Sequence, residues 1–144
     1  MAITFHPKPG QILMCDFSSG FKEPEMIKKR PVVVITPTIK GREKLVTVLP
    51  LSTSEPDPVM PYHYKIPKAS MPQLGHFQER NTWVKGDMIY TAGFHRLDLI
   101  RLNKKDPGTG KRAYFNQKLG REQMKSIYTC MLHGLNLGDL SQHL

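Results

Sequence analysis

The sequence predicts a mainly β protein with one C-terminal α-helix, whose strands form a small barrel or a β-roll. Three observations support this fold class. Residues 32–35 form a continuous β-branched run, proline-rich connections separate several short apolar segments, and helical apolar spacing occurs only after residue 120. A length of 144 residues is usual for one domain, so we expect a single domain over residues 1–144.

The first part of the chain contains three strand patterns. Gln11–Phe17 is apolar and follows a segment rich in proline and glycine. Pro31–Ile35 lacks polar alternation, which is typical of a central strand buried on both faces. Leu45–Leu49 is the third strand, and we expect Pro50 to end it because proline cannot donate to a sheet.

The middle of the chain is less regular. Residues 50–61 contain four prolines and predict a stiff loop. Tyr62–Ile66 alternates weakly and predicts a short strand, whereas residues 67–82 predict an irregular segment. Shorter strand patterns follow; they are Trp83–Val84, Asp87–Thr91, Leu97–Leu102 and Arg112–Phe115, with a hairpin turn at Lys104–Gly110.

The last part of the chain has the period of an α-helix. Six apolar residues lie at i, i+3, i+4, i+7, i+8 and i+11; they are Met124, Ile127, Tyr128, Met131, Leu132 and Leu135. A stripe of this kind faces the core of a globular protein, so we expect packing on the strands rather than a separate binding helix. Gly120 precedes the stripe, and Gly134 and Gly138 end it.

The chain is strongly basic, with a formal net charge of +9. A basic surface favours a polyanionic partner, which in the cytosol usually means nucleic acid. Residues 22–44 contain seven Lys and Arg against three Glu, and residues 101–125 contain eight Lys and Arg against two acidic residues. If the fold brings these two segments together, they form one basic patch.

The composition also bears on the compartment. There is no apolar run of about 18 residues, and Pro7, Pro9 and Gly10 interrupt the place where a signal peptide needs an apolar stretch. We therefore expect a cytoplasmic protein. Cys15 and Cys130 lie in apolar segments, so we expect buried free thiols rather than a disulfide. Their spacing has no zinc signature, and we expect no metal and no cofactor.

Three motifs, in this order, resemble the PemK/MazF toxins of type II toxin–antitoxin systems. They are Pro9–Ile12 leading to Cys15–Phe17, the Arg-Pro and valine-rich strand of Lys29–Ile35, and the Pro-Leu-Ser loop of Val48–Thr53. Lys85–Thr91 with Arg96-Leu97 also resembles the later strand and Arg-Leu end of that family. The terminal helix matches as well, and the resemblance covers most of the chain.

The resemblance implies an SH3-like small barrel of the PemK/MazF/CcdB type, usually a homodimer. It implies a metal-independent endoribonuclease that cleaves single-stranded mRNA, and a cognate antitoxin protein that holds it inactive. It also implies DNA binding by the toxin–antitoxin complex. Metal-free cleavage uses the ribose 2′-OH as nucleophile, so the expected products have 2′,3′-cyclic phosphate and 5′-OH ends.

The resemblance assigns catalytic roles to Arg30, Ser52 and Asp87. Arg30 would stabilise the charge on the phosphorane, although it could also be a solvated arginine ending a basic loop. Ser52 would donate a hydrogen bond to phosphate, although it could also cap its own backbone turn. Asp87 would be the general base, although it could also be a turn residue after Gly86.

Ten further residues are candidates for RNA binding; they are Lys28, Lys29, Thr53, Lys85, His95, Arg96, Lys104, Lys105, Lys111 and Arg112. Trp83, Tyr62 and Tyr64 could stack on bases, but core packing is favoured for Trp83. The chain departs from the family in its first loop, where Phe21 occupies the place of a histidine found in some members.

Two other functions stay open at the level of sequence. One is a toxin of the same fold that binds a protein target such as a topoisomerase, as CcdB-like toxins do. The other is a catalytically inactive relative that binds only RNA or an antitoxin, for which the altered first loop is the best support. The Arg30 and Ser52 motifs and the net charge favour the ribonuclease.

Overall fold

The structure is a computed structural model that describes residues 2–144. Nine strands lie in this range; they are β1 Ile12–Asp16, β2 Lys29–Val34, β3 Leu45–Ser52, β4 His63–Ile66, β5 Thr82–Lys85, β6 Tyr90–Gly93, β7 Leu97–Asp98, β8 Arg101–Lys105 and β9 Arg112–Tyr114. The α-helices in this range are α1 Gly75–Glu79 and α2 Arg121–Gly134. Short 3₁₀ helices occur at Lys68–Ser70, Phe94–Arg96 and Gly138–His143. The predicted fold class, mainly β with a C-terminal helix, is confirmed.

Seven strands form one antiparallel sheet in the order β4-β5-β3-β2-β1-β7, and β6 also pairs with β3. The central strand β3 changes partner along its length, because residues 45–48 pair with β6 whereas Leu51 and Ser52 pair with β5. Pro50 lies at the change of partner, where the missing backbone N–H of proline removes the fewest hydrogen bonds between strands. The prediction that Pro50 ends the strand is therefore wrong, since β3 continues to Ser52.

Both faces of the sheet are apolar. The helix-side core lies under α2, and among its members are Ile12, Val33, Leu49, Leu51, Phe77, Val84, Met124 and Ile127. The far-side core lies on the opposite face, and among its members are Leu13, Cys15, Phe17, Val32, Val34, Val46, Val48 and Leu97. Neighbouring residues of β2 point to opposite cores, which explains why its valine run shows no polar alternation.

The loop between β1 and β2 covers the far-side core with aromatic side chains. The ring centroid of Phe21 lies 5.3 Å from that of Phe17 and 5.7 Å from that of Tyr90. Tyr90 also fixes the loop through its hydroxyl, which accepts a hydrogen bond from the backbone N–H of Met26 at 3.2 Å. This loop therefore packs as part of the fold.

Helix α2 begins after Gly120, as predicted, and buries Met124, Ile127 and Cys130 against the sheet. The Tyr128 hydroxyl donates a hydrogen bond to the backbone carbonyl of Ile35 at 3.0 Å. The predicted stripe was too long by one residue, because Leu135 lies beyond the end of the helix and is 51% exposed.

Four other predicted elements are corrected. Residues 67–82 are not irregular throughout, since they contain a 3₁₀ turn and α1, whose Phe77 is buried. The single strand predicted at Leu97–Leu102 is two strands, β7 in the main sheet and β8 in a two-stranded sheet with β9. Lys104 and Lys105 belong to β8 rather than to the turn, and β6 begins only at Tyr90.

Both cysteines are free and buried, as predicted. Burial raises the pKa of the Cys15 thiol to about 12 and that of the Cys130 thiol to about 11. Within residues 2–144, no helix is both long and apolar enough to cross a membrane.

Candidate functional site

Arg30 lies inside β2 and pairs with Cys15 of β1. Its position in the strand alternation puts it on the far-side face, in line with Val32 and Val34. The Nε atom of Arg30 is buried and has no hydrogen-bond partner in the part of the chain that the structure describes. A buried donor of this kind is rare, since nearly all such groups are paired. The unpaired donor suits Arg30 to an external acceptor.

Arg30 also borders an open cavity of about 570 Å³ formed by the first loop. Glu23, Glu25 and Lys28 line the same cavity, so the predicted RNA-binding residue Lys28 lies close to Arg30. The carboxylates of the two glutamates add hydrogen-bond acceptors to the lining of the cavity.

Ser52 is the last residue of β3, and it shares the far-side face with Val48. Antiparallel pairing of β2 with β3 sets Val32 opposite Pro50. The paired residues of the two strands end there, and Arg30 and Ser52 each lie two positions further on, on the same face as Val32 and Pro50. The alternation of the two strands thus puts on one face the two residues that the sequence motifs place 22 positions apart.

The Ser52 Oγ accepts a hydrogen bond from the backbone N–H of Ser54 at 3.1 Å, so the backbone turn weighed as its alternative role is present. This bond uses one acceptor lone pair and leaves the hydroxyl hydrogen free to donate. Ser52 is 7% exposed, and Thr53 after it is half-buried. The turn therefore orients the Ser52 hydroxyl without consuming its donor.

Asp87 lies apart from these two residues. It is exposed in the turn between β5 and β6, which packs against the C-terminal end of α2 on the helix side of the sheet. A Cβ atom added at Gly134 would lie 2.7 Å from the Asp87 Cα, which shows how closely the two backbones approach. Between residues 2 and 144, no hydrogen bond or ion pair joins Asp87 to Arg30 or Ser52. Within the part of the chain that the structure describes, the three predicted catalytic residues are therefore not joined by direct contacts.

The neighbours of Asp87 are His63 and Lys85, which are paired across β4 and β5. The Nδ1 of His63 accepts a hydrogen bond from the backbone N–H of Met60 at 3.0 Å. Desolvation lowers the pKa of His63, and Lys85 lowers it further, while the charge of Asp87 opposes both. His63 is therefore mainly neutral at pH 7. Among the described residues, no group of three or more His, Cys, Asp and Glu could hold a metal ion.

Arg96, a predicted RNA-binding residue, holds the first loop. Its Nη1 donates hydrogen bonds to the backbone carbonyls of Asp16 and Ser19, each at 3.0 Å. Its guanidinium carbon lies 4.8 Å from the ring centroid of Phe21, within cation–π range. These contacts engage Arg96 with the protein, so we assign it to positioning the loop rather than to direct RNA contact.

The two basic segments meet at one cavity and diverge elsewhere. Lys29 and Arg101, one from each segment, line a cavity of about 380 Å³ together with the exposed His95 and with Arg96. The other predicted hairpin cations are exposed and line a separate cavity of about 620 Å³; they are Lys104, Lys105, Lys111 and Arg112. The expectation of one continuous patch is therefore met only around Lys29 and Arg101.

Strand pairing places two residues beside Ser52, and one of them, Lys65, was not predicted from sequence. Trp83 of β5 is paired directly with Ser52, and Lys65 of β4 is paired with Trp83. Trp83 is 7% exposed, as the core-packing prediction requires, and the Nζ atom of Lys65 lies 5.9 Å from the centre of its ring. Only the register reveals this proximity, because Lys65, Trp83 and Ser52 are far apart in sequence.

Comparisons with known proteins extend these observations. A sequence model of the family described as PemK-like, MazF-like toxin of type II toxin–antitoxin system matches residues 8–127. The uncharacterised protein YifN of Escherichia coli K12 is 30% identical over 153 residues, covering 94% of this chain and 96% of YifN. An uncharacterised protein of Haemophilus influenzae Rd is also 30% identical, over 151 residues, covering 97% of this chain and 98% of its own length.

Solved structures share the fold. A mycobacterial endoribonuclease in complex with its cognate antitoxin superposes with a TM-score of 0.59 at 19% identity, covering 91% of this chain and 96% of that chain. The Mycobacterium tuberculosis toxin MazF-mt6 gives a TM-score of 0.54 at 17% identity, covering 90% of this chain and 98% of that chain. At these identities the likeness concerns the fold.

Proposed function

The chain belongs to the PemK-like, MazF-like family of toxins of type II toxin–antitoxin systems, and we propose that it is a toxin that cuts single-stranded RNA without a metal ion. The observation that supports this most directly is Arg30, a guanidinium with a buried, unpaired Nε donor on the sheet face that it shares with Ser52. A preorganised donor pair on strands is what charge stabilisation in a transition state needs.

In the proposed reaction, the ribose 2′-OH loses its proton and its oxygen bonds to the adjacent phosphorus, while the bond from phosphorus to the 5′ oxygen of the next nucleotide breaks. The departing 5′ oxygen takes up a proton, so the step is a transesterification with no net gain or loss of protons. Arg30 stabilises the extra negative charge through its planar guanidinium, which can donate two parallel hydrogen bonds to phosphate oxygens. Ser52 donates its hydroxyl hydrogen to another phosphate oxygen and so positions the group. Asp87 stays a proposed general base without an assigned step, because its backbone packs against the end of α2 and, among the described residues, no contact joins it to Arg30 or Ser52.

The proposal includes the partners of the toxin. The name of one structural neighbour states that this endoribonuclease is bound to its cognate antitoxin. We propose an antitoxin protein for this chain as well, and we propose that the complex binds DNA. We further propose a single domain with the SH3-like barrel, a homodimer, and action in the cytoplasm, where mRNA is the substrate.

The test is to incubate purified protein with single-stranded RNA in excess chelator and to analyse the fragments by mass spectrometry. We expect cleavage that leaves a 2′,3′-cyclic phosphate on one fragment and a 5′-OH on the other. A substrate with deoxyribose at the cut position should resist cleavage and still bind.

Two results would contradict the proposal. A 5′-phosphate product, or activity that disappears with chelator and returns with magnesium, would replace the mechanism with a metal-dependent one. If folded protein cuts no RNA at all, the toxin with a protein target or the inactive relative becomes the better hypothesis. The Arg30→Ala variant, purified in the same way, controls for a contaminating ribonuclease.

A further inference from the structure

Four side chains form a row across the sheet on the face opposite α2. In strand order they are Arg30 on β2, Ser52 on β3, Trp83 on β5 and Lys65 on β4. Ser52 is paired with Trp83, and Trp83 with Lys65. Arg30 lies two positions beyond the last paired residue of β2, on the same face. Directly opposite residues of an antiparallel sheet point to the same face, so the proposed catalytic pair shares its face with Lys65.

The spacing of strands sets the length of this row. Neighbouring strands lie about 4.8 Å apart, so three steps separate the backbones of Arg30 and Lys65 by about 14 Å. The exposed Lys65 side chain is flexible, so its ammonium group can lie nearer to Arg30 or farther from it than this backbone separation. The row thus has a cation at each end and the Ser52 hydroxyl between them.

Lys65 is exposed, and in the described part of the chain its side chain has no hydrogen bond or ion pair. Its ammonium group lies 5.9 Å from the centre of the buried Trp83 ring. A cation over an aromatic face is held in place while its N–H donors remain free. Lys65 is therefore partly positioned without being neutralised, which distinguishes it from Arg96, whose guanidinium already binds two backbone carbonyls.

We propose that Lys65 binds a backbone phosphate of the RNA strand whose cut phosphate lies at Arg30 and Ser52. This inference rests on the proposed function and extends it by giving the RNA a direction on the protein. The RNA backbone then crosses β2, β3, β5 and β4 instead of running parallel to these β-strands. An ammonium is a point charge that contacts phosphate without reading bases, so Lys65 contributes affinity for every sequence.

The experiment measures binding of uncleavable RNA, with deoxyribose at the cut position, as a function of salt. Each phosphate contact to single-stranded nucleic acid contributes about 0.7 to the slope of log affinity against log salt. Lys65→Ala should reduce the slope by about 0.7 and weaken binding about five-fold at 0.1 M salt. Lys65→Arg should keep the wild-type slope.

Lys40→Ala is the matched control, because Lys40 is an exposed lysine at the other end of the β2–β3 hairpin. It should leave the slope unchanged. A second measurement follows cleavage of RNAs lengthened one nucleotide at a time on either side of the cut. The Lys65→Ala defect should appear as a raised KM with unchanged kcat, and only once the RNA is extended on one side. Thermal melting of each variant shows that the fold is kept.

The inference and the proposed function fail in different ways. If wild-type protein binds and cuts RNA but Lys65→Ala keeps the full slope, Lys65 only covers Trp83 and the inference is overturned. If the Lys65→Ala defect is the same for RNAs of every length, the strand does not cross the sheet toward β4, and the inference is overturned as well. If wild-type protein neither binds nor cuts RNA, the proposed function itself fails.

Discussion

Replacing Arg30 by alanine separates activity from stability more sharply than any other change in this chain. The buried Nε of Arg30 lacks a protein partner, and this unpaired donor lowers the free energy of unfolding of the native state. Alanine removes that cost together with the apolar stem of the side chain. If the donor serves RNA, the variant loses catalysis while the fold loses almost nothing.

The two contributions to stability can be estimated. Leaving a buried donor unpaired costs about 1–3 kcal/mol, which the substitution recovers. The missing stem consists of two methylenes, worth about 0.8 kcal/mol each when fully buried, and Arg30 is only half-buried. The free energy of unfolding should therefore fall by no more than about 1 kcal/mol, and the melting temperature should fall by at most about 4 °C.

The effect on the reaction should be much larger. Loss of one group that meets developing charge costs about 10²–10³ in kcat, or about 3–4 kcal/mol of barrier. Arg30→Lys should recover little of the rate, because a point charge cannot reproduce the planar pair of donors. Single-turnover cleavage of one RNA under saturating protein measures this loss directly.

Arg42→Ala is the control for Arg30, since Arg42 lies at the other end of the same hairpin. Its Nη2 donates a hydrogen bond to the Thr47 Oγ1 at 3.0 Å. Removing it should cost about 1 kcal/mol of stability and leave cleavage intact. A folded Arg30→Ala variant with full activity would refute the assignment of Arg30. A variant that lost several kcal/mol of stability would refute the argument from the unpaired donor.

Two further predictions concern the hairpin and the assembly. Replacing Lys104, Lys105, Lys111 and Arg112 together by alanine should flatten the salt dependence of RNA binding, by up to about 0.7 in slope for each phosphate that these cations bind; an unchanged slope would place the RNA elsewhere. Light scattering at micromolar concentration should give about twice the 16.5 kDa mass of one chain, and a species of 16.5 kDa alone would contradict the proposed homodimer.

The elements that sequence predicted well are those decided by local pattern. The valine run of β2 is buried on both faces, and α2 begins after Gly120. The predictions that failed concern features decided by neighbours in space. Pro50 stays inside β3 because the strand changes partner there, and α1 is too short at five residues to show a helical period.

For the candidate site too, local motifs predicted some residues, whereas others depend on contacts between distant parts of the chain. The motifs predicted Arg30 and Ser52, and the alternation of β2 and β3 places both on the same face of the sheet. The motifs could not show that Asp87 lies on the helix side, because this follows from close contact between Gly86 and Gly134, 48 residues apart. A Cβ at Gly134 would lie 2.3 Å from the Gly86 carbonyl oxygen, so only glycine permits this approach. Lys65 was missed because strand pairing alone reveals it.

The altered first loop was the best support for an inactive relative, and the structure weakens that support. Phe21 packs its ring against Phe17 and Tyr90, and Arg96 covers it while binding the loop backbone. The phenylalanine thus serves the packing of the far-side core. Arg30 is held by its own strand, through pairing with Cys15 of β1, and the ring contacts of Phe21 do not involve it. We therefore expect a change at position 21 to alter how the loop is fixed while the backbone position of Arg30 is kept.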